Sequence, residues 1–321
     1  MTTATPTPAR STPKRSGSSA SWRWSDRLGL GLAWFLGLLF CAIAAAIVIY
    51  FLVEGIRYLR PNLLVTNPAP GVSESQTGGF LDPLLGTLIL GAMSMAVAVP
   101  VGVGIAVWLS EFGRPTGLAR VAESAVEMLA GEPSVVLALF GTILFTVGQL
   151  GFLSQTSHGI VLGQSFFAAA AMLSLVGLPM VVASTREGLQ AIPSHVREAS
   201  YAVGKTKIAT TRRVLLPAAR PSVITGSMLG LGRVIGDTAI VLLLLGGTLT
   251  FQAANSTPLL GLLRGTGDTL TGYIYYNAPT GDGNQPSKAY AAAFVLMLMV
   301  LAINVGVDFV VRRSQRAVRW S

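Results

Sequence analysis

An all-α integral membrane fold, six transmembrane helices with a cytoplasmic helical hairpin, is what this sequence predicts, and three observations predict it. Only 12% of the 321 residues are charged while 51% are hydrophobic, about half the charged share that covers a water-facing domain. The mean hydropathy is +0.61. The cations gather at the two ends and in one central stretch, with long uncharged runs between them, which is how topology is written into a polytopic membrane protein. An ordinary soluble enzyme is excluded. The net charge of +9, from 23 Lys and Arg against 14 Asp and Glu, raises nucleic acid as a partner, but its placement fits membrane lipid and no nucleic acid.

Residues 1–27 form a basic tail rich in Ser, Thr and Pro, with Arg10, Lys14 and Arg15. Such a composition buries too little apolar surface to offset chain entropy, so disorder is expected. The apolar run that follows is too long for the core of a signal peptide and reads as a retained anchor. Spanning helices need about 20 mostly apolar residues, and six runs qualify: Leu28–Val53, Leu84–Leu109, Pro133–Phe152, Gly159–Ala183, Val223–Leu249 and Tyr290–Val311. The third is the weakest, with Glu132, Gln149 and several glycines near its ends. The resulting organisation is a tail (1–27), a first span (28–53), an extracytoplasmic loop (54–83), a core domain of five helices (84–313) and a C-terminus (314–321). Within the core lie a cytoplasmic loop at 184–221 and a second extracytoplasmic loop at 250–289.

Orientation follows from the basic residues. With the N-terminus inside, 18 Lys and Arg fall in cytoplasmic segments, and only Arg57, Arg60, Arg264 and Lys288 fall outside, which puts both termini in the cytoplasm. The two outer loops carry turn chemistry such as Asn67-Pro68 and Gly281-Asp282-Gly283 and are expected to be water-exposed, either as plain connections or as a docking surface. Gly226 and Gly230, and then Gly232 and Gly236, share a spacing of four that lets helix backbones approach closely in lipid.

Three features carry no site. Gly204-Lys205-Thr206 mimics the end of a phosphate-binding loop, but Ala199 stands where that motif needs glycine. His158 and His195, expected in loops, lack partners at ligand spacing, and the single cysteine, Cys41, reads as a buried apolar residue.

Chemistry is expected in two places. In the 184–221 loop, residues 195–203 have helical spacing, Gly204 permits a tight turn, and 206–216 form a second, basic helix ending at Pro217. A compact helical knob of this kind can enter a partner's groove and transmit its displacement, which a floppy loop cannot. In the fifth run, Arg233 and Asp237 sit at i and i+4 and so on one helix face. Each would cost about 2.5–3.5 kcal/mol at the bilayer centre, so such residues usually face a pathway, although a structural ion pair is the competing reading. The planar guanidinium suits an oxyanion, to which it donates two parallel hydrogen bonds. Thr238 follows directly.

The loop resembles the coupling motif of permease subunits in ATP-binding-cassette importers: Glu198-Ala199-Ser200 preceded by Arg197, then Gly204, then Val214-Leu215-Leu216-Pro217, each at the motif's spacing. Leu129 to Val136, Gly204 to Pro217 and Leu231 to Ala239 look like the phosphate-specific importer permeases, the A-type subunit more than its C-type partner. Gly78-Gly79, Leu85-Gly86-Thr87 and Trp108 to Phe112 are similar to the opening of the same domain, so the resemblance covers about residues 78–313. It implies that Arg233 and Asp237, with Thr238, line the phosphate path, and that Arg197, Glu198, Ala199, Ser200, Gly204, Val214, Leu216 and Pro217 couple it to an ATPase. Asp237 departs from the family's usual Glu, Glu132 from an aliphatic residue, and Ala183-Ser184-Thr185 from a stretch that often begins with Arg. It further implies a bacterial cytoplasmic membrane location, a C-type second permease, two cytoplasmic ATPase subunits and an extracytoplasmic phosphate-binding protein. No cofactor is expected on this chain, which is not itself an enzyme, since ATP would be used by the partner ATPase. Another oxyanion, sulfate or molybdate, and an ion-coupled secondary transporter are the alternative readings.

Overall fold

The structure, a computed structural model, describes residues 24–318 except 70–77, 114–115, 148–149, 155, 158–159, 248–250, 252–260, 262, 282 and 284. The tail expected over 1–27 therefore lies outside the described residues as far as residue 23, as does His158. The chain divides into two compact units, Met1–Tyr50 and Phe51–Ser321. The described part of the first is helical and belongs to α1 (Trp24–Tyr58), with Asp26 in its first turn and Arg57 in its last, the signs that suit a helix dipole. Cys41 on this helix is exposed rather than buried.

Among the described residues, four helices are long and apolar enough to cross a membrane, or six if each of two bent pairs makes one span. After the short α2 (Pro61–Val65), α3 (Leu81–Val107) continues into a π turn at Trp108–Phe112. The central helix is α6 (Phe166–Gln190), which packs along α3 and along α9 (Arg220–Ile235). Its first turn is capped by Ser165, whose hydroxyl accepts the Ala168 N–H at 3.0 Å, satisfying one of the free amides of a helix start. Phe166, Leu173, Val181 and Leu189 on it are completely buried. The last span is α12 (Pro286–Val318), so the C-terminus expected from residue 314 is helical to 318.

Three expected spans differ. The third, α5 (Ser134–Thr146), stops short of the expected 133–152, and an unexpected helix, α4 (Gly117–Gly131), precedes it at a bend of 105°. Pro133, with φ −62° and ψ 130°, is extended and cannot continue a helix, and Glu132 lies exposed at the corner. The fourth begins at Phe166 instead of Gly159. Before it come a small hairpin of Thr156–Ser157 paired antiparallel with Ile160–Val161 and Gly163 at φ +71°, a conformation that favours glycine. The fifth is broken: α9 stops at Ile235 and α10 (Ala239–Leu244) resumes after Gly236-Asp237-Thr238.

The second outer loop is also less exposed than expected. Residues 265–273 are all buried, running into α11 (Leu270–Asn277). A parallel bridge joins Gly246 to Gly267, and the Phe166 N–H donates to the Gly265 carbonyl. The end of this loop is thus inside the bundle, with its backbone polar groups paired as burial demands.

Candidate functional site

The hairpin consists of α7 (Ser194–Ala202) and α8 (Lys207–Ala218). Between them Gly204 has φ +81°, and a Cβ there would meet nothing within 4 Å; the requirement for glycine is one of backbone conformation, not space. The Lys205 N–H donates to the Ser200 carbonyl at 3.2 Å and the Gly204 N–H to that of Tyr201 at 2.9 Å, the paired bonds of a Schellman stop. Thr206 opens α8 by accepting the Ala209 N–H at 3.3 Å. Across the hairpin the hydroxyls of Ser200 and Thr210 are 2.9 Å apart and buried, which pins one helix to the other.

Arg197 anchors this unit. Its guanidinium donates to the Leu189 and Ile192 carbonyls, each at 2.7 Å, at the C-terminal end of α6, where carbonyls lack helical partners. It also donates to Glu111 Oε1 at 2.9 Å, and the Glu111 side chain is only 6% exposed. Glu111 lies in the π turn that ends α3, closed by the Gly113 N–H on the Trp108 carbonyl. A single arginine therefore ties α7 to α6 and α3. Lys207 adds a contact over the Phe112 ring, 5.1 Å from its centroid. Nearby, Arg186 of α6 is paired with Glu123 of α4.

The other residues expected to couple divide by exposure. Glu198 and Ala199 are exposed, Ser200 is buried, and Val214, Leu216 and Pro217 are half-buried. His195 lies in α7, not in a loop, and is exposed. Val203 and Ile208 are 73% and 70% exposed, an apolar tip that on a soluble surface marks an interaction site. Pro217 does not end the second helix as expected. A π turn at Thr211–Leu215 precedes it, with the Leu216 N–H reaching the Thr211 carbonyl, and this wider turn lets the helix run through the proline to Ala218. The chain then bends by 66° into α9.

The fifth-span residues are placed differently from the expectation of one helix face. Because α9 ends at Ile235, Asp237 does not follow Arg233 by one helical turn. Asp237 is 3% exposed and its Oδ1 accepts the Ile240 N–H at 3.0 Å, the bond of a residue that starts a helix. Thr271 reaches the Asp237 carbonyl at 3.5 Å, while its hydroxyl is 2.7 Å from that of Thr269. The Leu270 N–H donates to Thr87 on α3 at 2.9 Å. The break is thus roofed by the buried start of α11. Arg233 is exposed and makes no ion pair or hydrogen bond among the described residues. It shares an exposed stripe of α9 with Thr225 and Leu229, Gly236 just past the helix end is also exposed, and Thr238 is half-buried.

The two glycine pairs also separate. A Cβ at Gly226 would lie 2.8 Å from Ser184 Cβ, and one at Gly230 would lie 3.0 Å from the Gly177 carbonyl oxygen, so this pair is where α9 meets α6. Gly232 has nothing within 4 Å and lies on the open side near Arg233.

Asp268 was not singled out in the sequence. It is 2% exposed, accepts the Thr269 N–H at 2.7 Å, and has Gly272 packed against its carboxylate. Burial pushes its pKa up from 3.8 to about 7 against the opposing backbone hydrogen bond. Nothing in its sequence neighbourhood signals that burial. Among the described residues, no group of three or more His, Cys, Asp or Glu could hold a metal ion.

Comparison with known proteins accounts for this arrangement. The model of the binding-protein-dependent transport system inner membrane component family matches residues 98–320. The chain is 35% identical over 256 residues to the phosphate transport system permease protein PstA 1 of Mycobacterium tuberculosis, covering 78% of this chain and 77% of that protein. It is 29% identical over 239 residues to the phosphate transport system permease protein PstC of Xylella fastidiosa, covering 70% and 69%. In fold it is similar to a chain of a bacterial alginate ABC transporter in complex with an alginate-bound periplasmic protein, with a TM-score of 0.62 at 17% identity over 90% of this chain and 95% of that one. The chain belongs to the family of binding-protein-dependent transport system inner membrane components, as a membrane-spanning permease.

Proposed function

We propose that the chain is the A-type permease subunit of an ATP-driven importer and forms, with a second, C-type permease subunit, the translocation path for inorganic phosphate. The observation that carries this reading is the 35% identity to a phosphate transport permease across 77% of that protein's length. The latched hairpin supports the ATP-driven part. Two cytoplasmic ATPase subunits would seat α7 through Glu198, Ala199 and the apolar tip, and ATP would be spent on those subunits, with no cofactor held by this chain. An extracytoplasmic phosphate-binding protein would deliver the ion. Both termini are then cytoplasmic, as the distribution of basic residues favours.

Displacement of α7 passes through Arg197 to α6 and α3, and through Val214, Leu216 and Pro217 to α9. Arg233 offers the ion a cation on an open helix stripe. Its planar fork matches two phosphate oxygens, and solvent near the stripe keeps the contact weak enough for release. Asp237 and Thr238 act by holding the break that ends α9 beside it. The test is labelled phosphate uptake at limiting phosphate in cells lacking this chain, restored with wild type or Arg233→Ala, with sulfate as competitor. Uptake returning with wild type alone and ignoring sulfate supports the reading. Normal uptake by an assembled Arg233→Ala importer removes Arg233 from the path, and competition by sulfate changes the anion.

A further inference from the structure

The elbow between α8 and α9 holds a cavity of about 230 Å³ on the hairpin side of the fold. Arg212, Leu216 and Pro217 line it from α8, Arg220, Val223 and Ile224 from α9, and Val103 from α3. Both arginines are exposed and make no ion pair or hydrogen bond among the described residues, while the five other lining residues are apolar and half-buried. Two unpaired guanidiniums over an apolar floor present one amphipathic surface at the corner of the 66° bend.

We propose that this elbow is a binding site for one anionic phospholipid of the cytoplasmic leaflet, its phosphate held by Arg212 and Arg220 and the start of an acyl chain lying on Val103, Val223 and Ile224. The inference rests on the proposed orientation, which puts the hairpin in the cytoplasm. Charge complementarity selects an anion, since basic side chains near the cytoplasmic face of a membrane attract the anionic lipids of that leaflet. The apolar floor selects a lipid over free phosphate, because a fully hydrated ion gains nothing from Val103 or Ile224 while an acyl chain gains with each methylene it buries. The occupant would touch both arms of the elbow. It would therefore stiffen the joint through which hairpin movement reaches the fifth span, and coupling of ATP use to transport would depend on anionic lipid.

The test uses the complete importer purified from membranes, with wild-type chain, the Arg212→Gln/Arg220→Gln pair, or Arg213→Gln, an exposed neighbour outside the cavity. Retained phosphatidylglycerol is read by native mass spectrometry, and phosphate imported per ATP is read in vesicles of phosphatidylcholine with or without phosphatidylglycerol. Wild type and Arg213→Gln should retain the lipid, and the double variant should hold it about thirtyfold more weakly, the factor expected for two cations near a membrane surface. The imported-to-hydrolysed ratio should rise with phosphatidylglycerol for wild type and Arg213→Gln but not for the double variant. Equal retention in all three proteins, or equal loss in both variants, overturns the site. Displacement by inorganic phosphate shows that it takes the free ion, and an elbow covered by an ATPase subunit would give no retention even in wild type. Lipid retention is read without transport, so a failure of the phosphate reading shows separately, as absent uptake in every vesicle.

Discussion

Glu111 and Arg197 are 86 residues apart in sequence and 2.9 Å apart in space, and their contact joins the end of α3 to α7. The same guanidinium closes the carbonyl end of α6. Three elements are thus held by one side chain, so the hairpin is latched to the bundle rather than hanging as a loop.

Removing either partner should loosen that latch. Glu111→Gln or Arg197→Met leaves a buried charge uncompensated, a loss of about 3 kcal/mol. Amide exchange in α7 should then quicken by about a hundredfold through local opening, while α6 above Leu189 stays protected. In the assembled importer, ATP hydrolysis should continue with less phosphate moved per ATP. Unchanged exchange in α7 would show that the hairpin is held by other contacts.

Gly204 offers a test of backbone alone, because a side chain there meets no atom within 4 Å. Gly204→Val should weaken the Schellman stop by about 1–2 kcal/mol, the strain of a left-handed conformation, and lower the transport-to-hydrolysis ratio. Gly204→Asn should do so less, since Asn tolerates that region. Glu198→Lys, which leaves the turn intact, should uncouple by altering the face offered to the ATPase. The two mechanisms separate by circular dichroism melting, which only the first should shift.

Asp237 has a bonding role that a substitution can separate from its charge. Asp237→Ala removes the acceptor for the Ile240 N–H and should destabilise α10 by about 1 kcal/mol. Asp237→Asn keeps an acceptor and should retain most of the stability. Equal loss of transport in both variants, with stability restored only in Asn, would show that the carboxylate charge itself acts on the ion.

Asp268 links stability to pH. Its folded pKa, raised to about 7, lies above its ordinary value, so between about pH 4 and pH 7 the folded chain binds more protons than the unfolded one. Stability from this group therefore falls as pH rises through that window. The unfolding midpoint of the purified protein should drop between about pH 5 and pH 7.5, and Asp268→Asn should flatten that part of the curve. A drop of equal size in the variant would assign the effect to other groups.

What the sequence disclosed was local. Gly204 could be read because one residue type satisfies one backbone requirement, and the hydrophobic runs could be counted because each spans lipid alone. Arg197 was found through its neighbours in a motif, but its bond to Glu111 joins distant segments, and no periodicity in a single sequence encodes that distance. The break after Ile235 was hidden because apolar residues continue on both sides of it. Gly236 followed by Asp237 is a stop-and-start signal for helices, overridden in the expectation by the length of the run. The same reasoning missed α4, which ends at Gly131 just before the expected span began at Pro133 and joins it as a bent pair. Asp268 left no trace at all, since its burial depends on α3 and α11 closing over it.

The two π turns, at Trp108–Phe112 and Thr211–Leu215, each hold one more residue than an ordinary helical turn. Deleting that residue would close the wide turn into an ordinary helical one, removing the bulge that carries Glu111 in one case and the one that precedes Pro217 in the other. Chain length at these two points is therefore as constrained as any side chain. Exposed hairpin residues such as Arg213 can be exchanged with less consequence than a residue gained or lost in either wide turn.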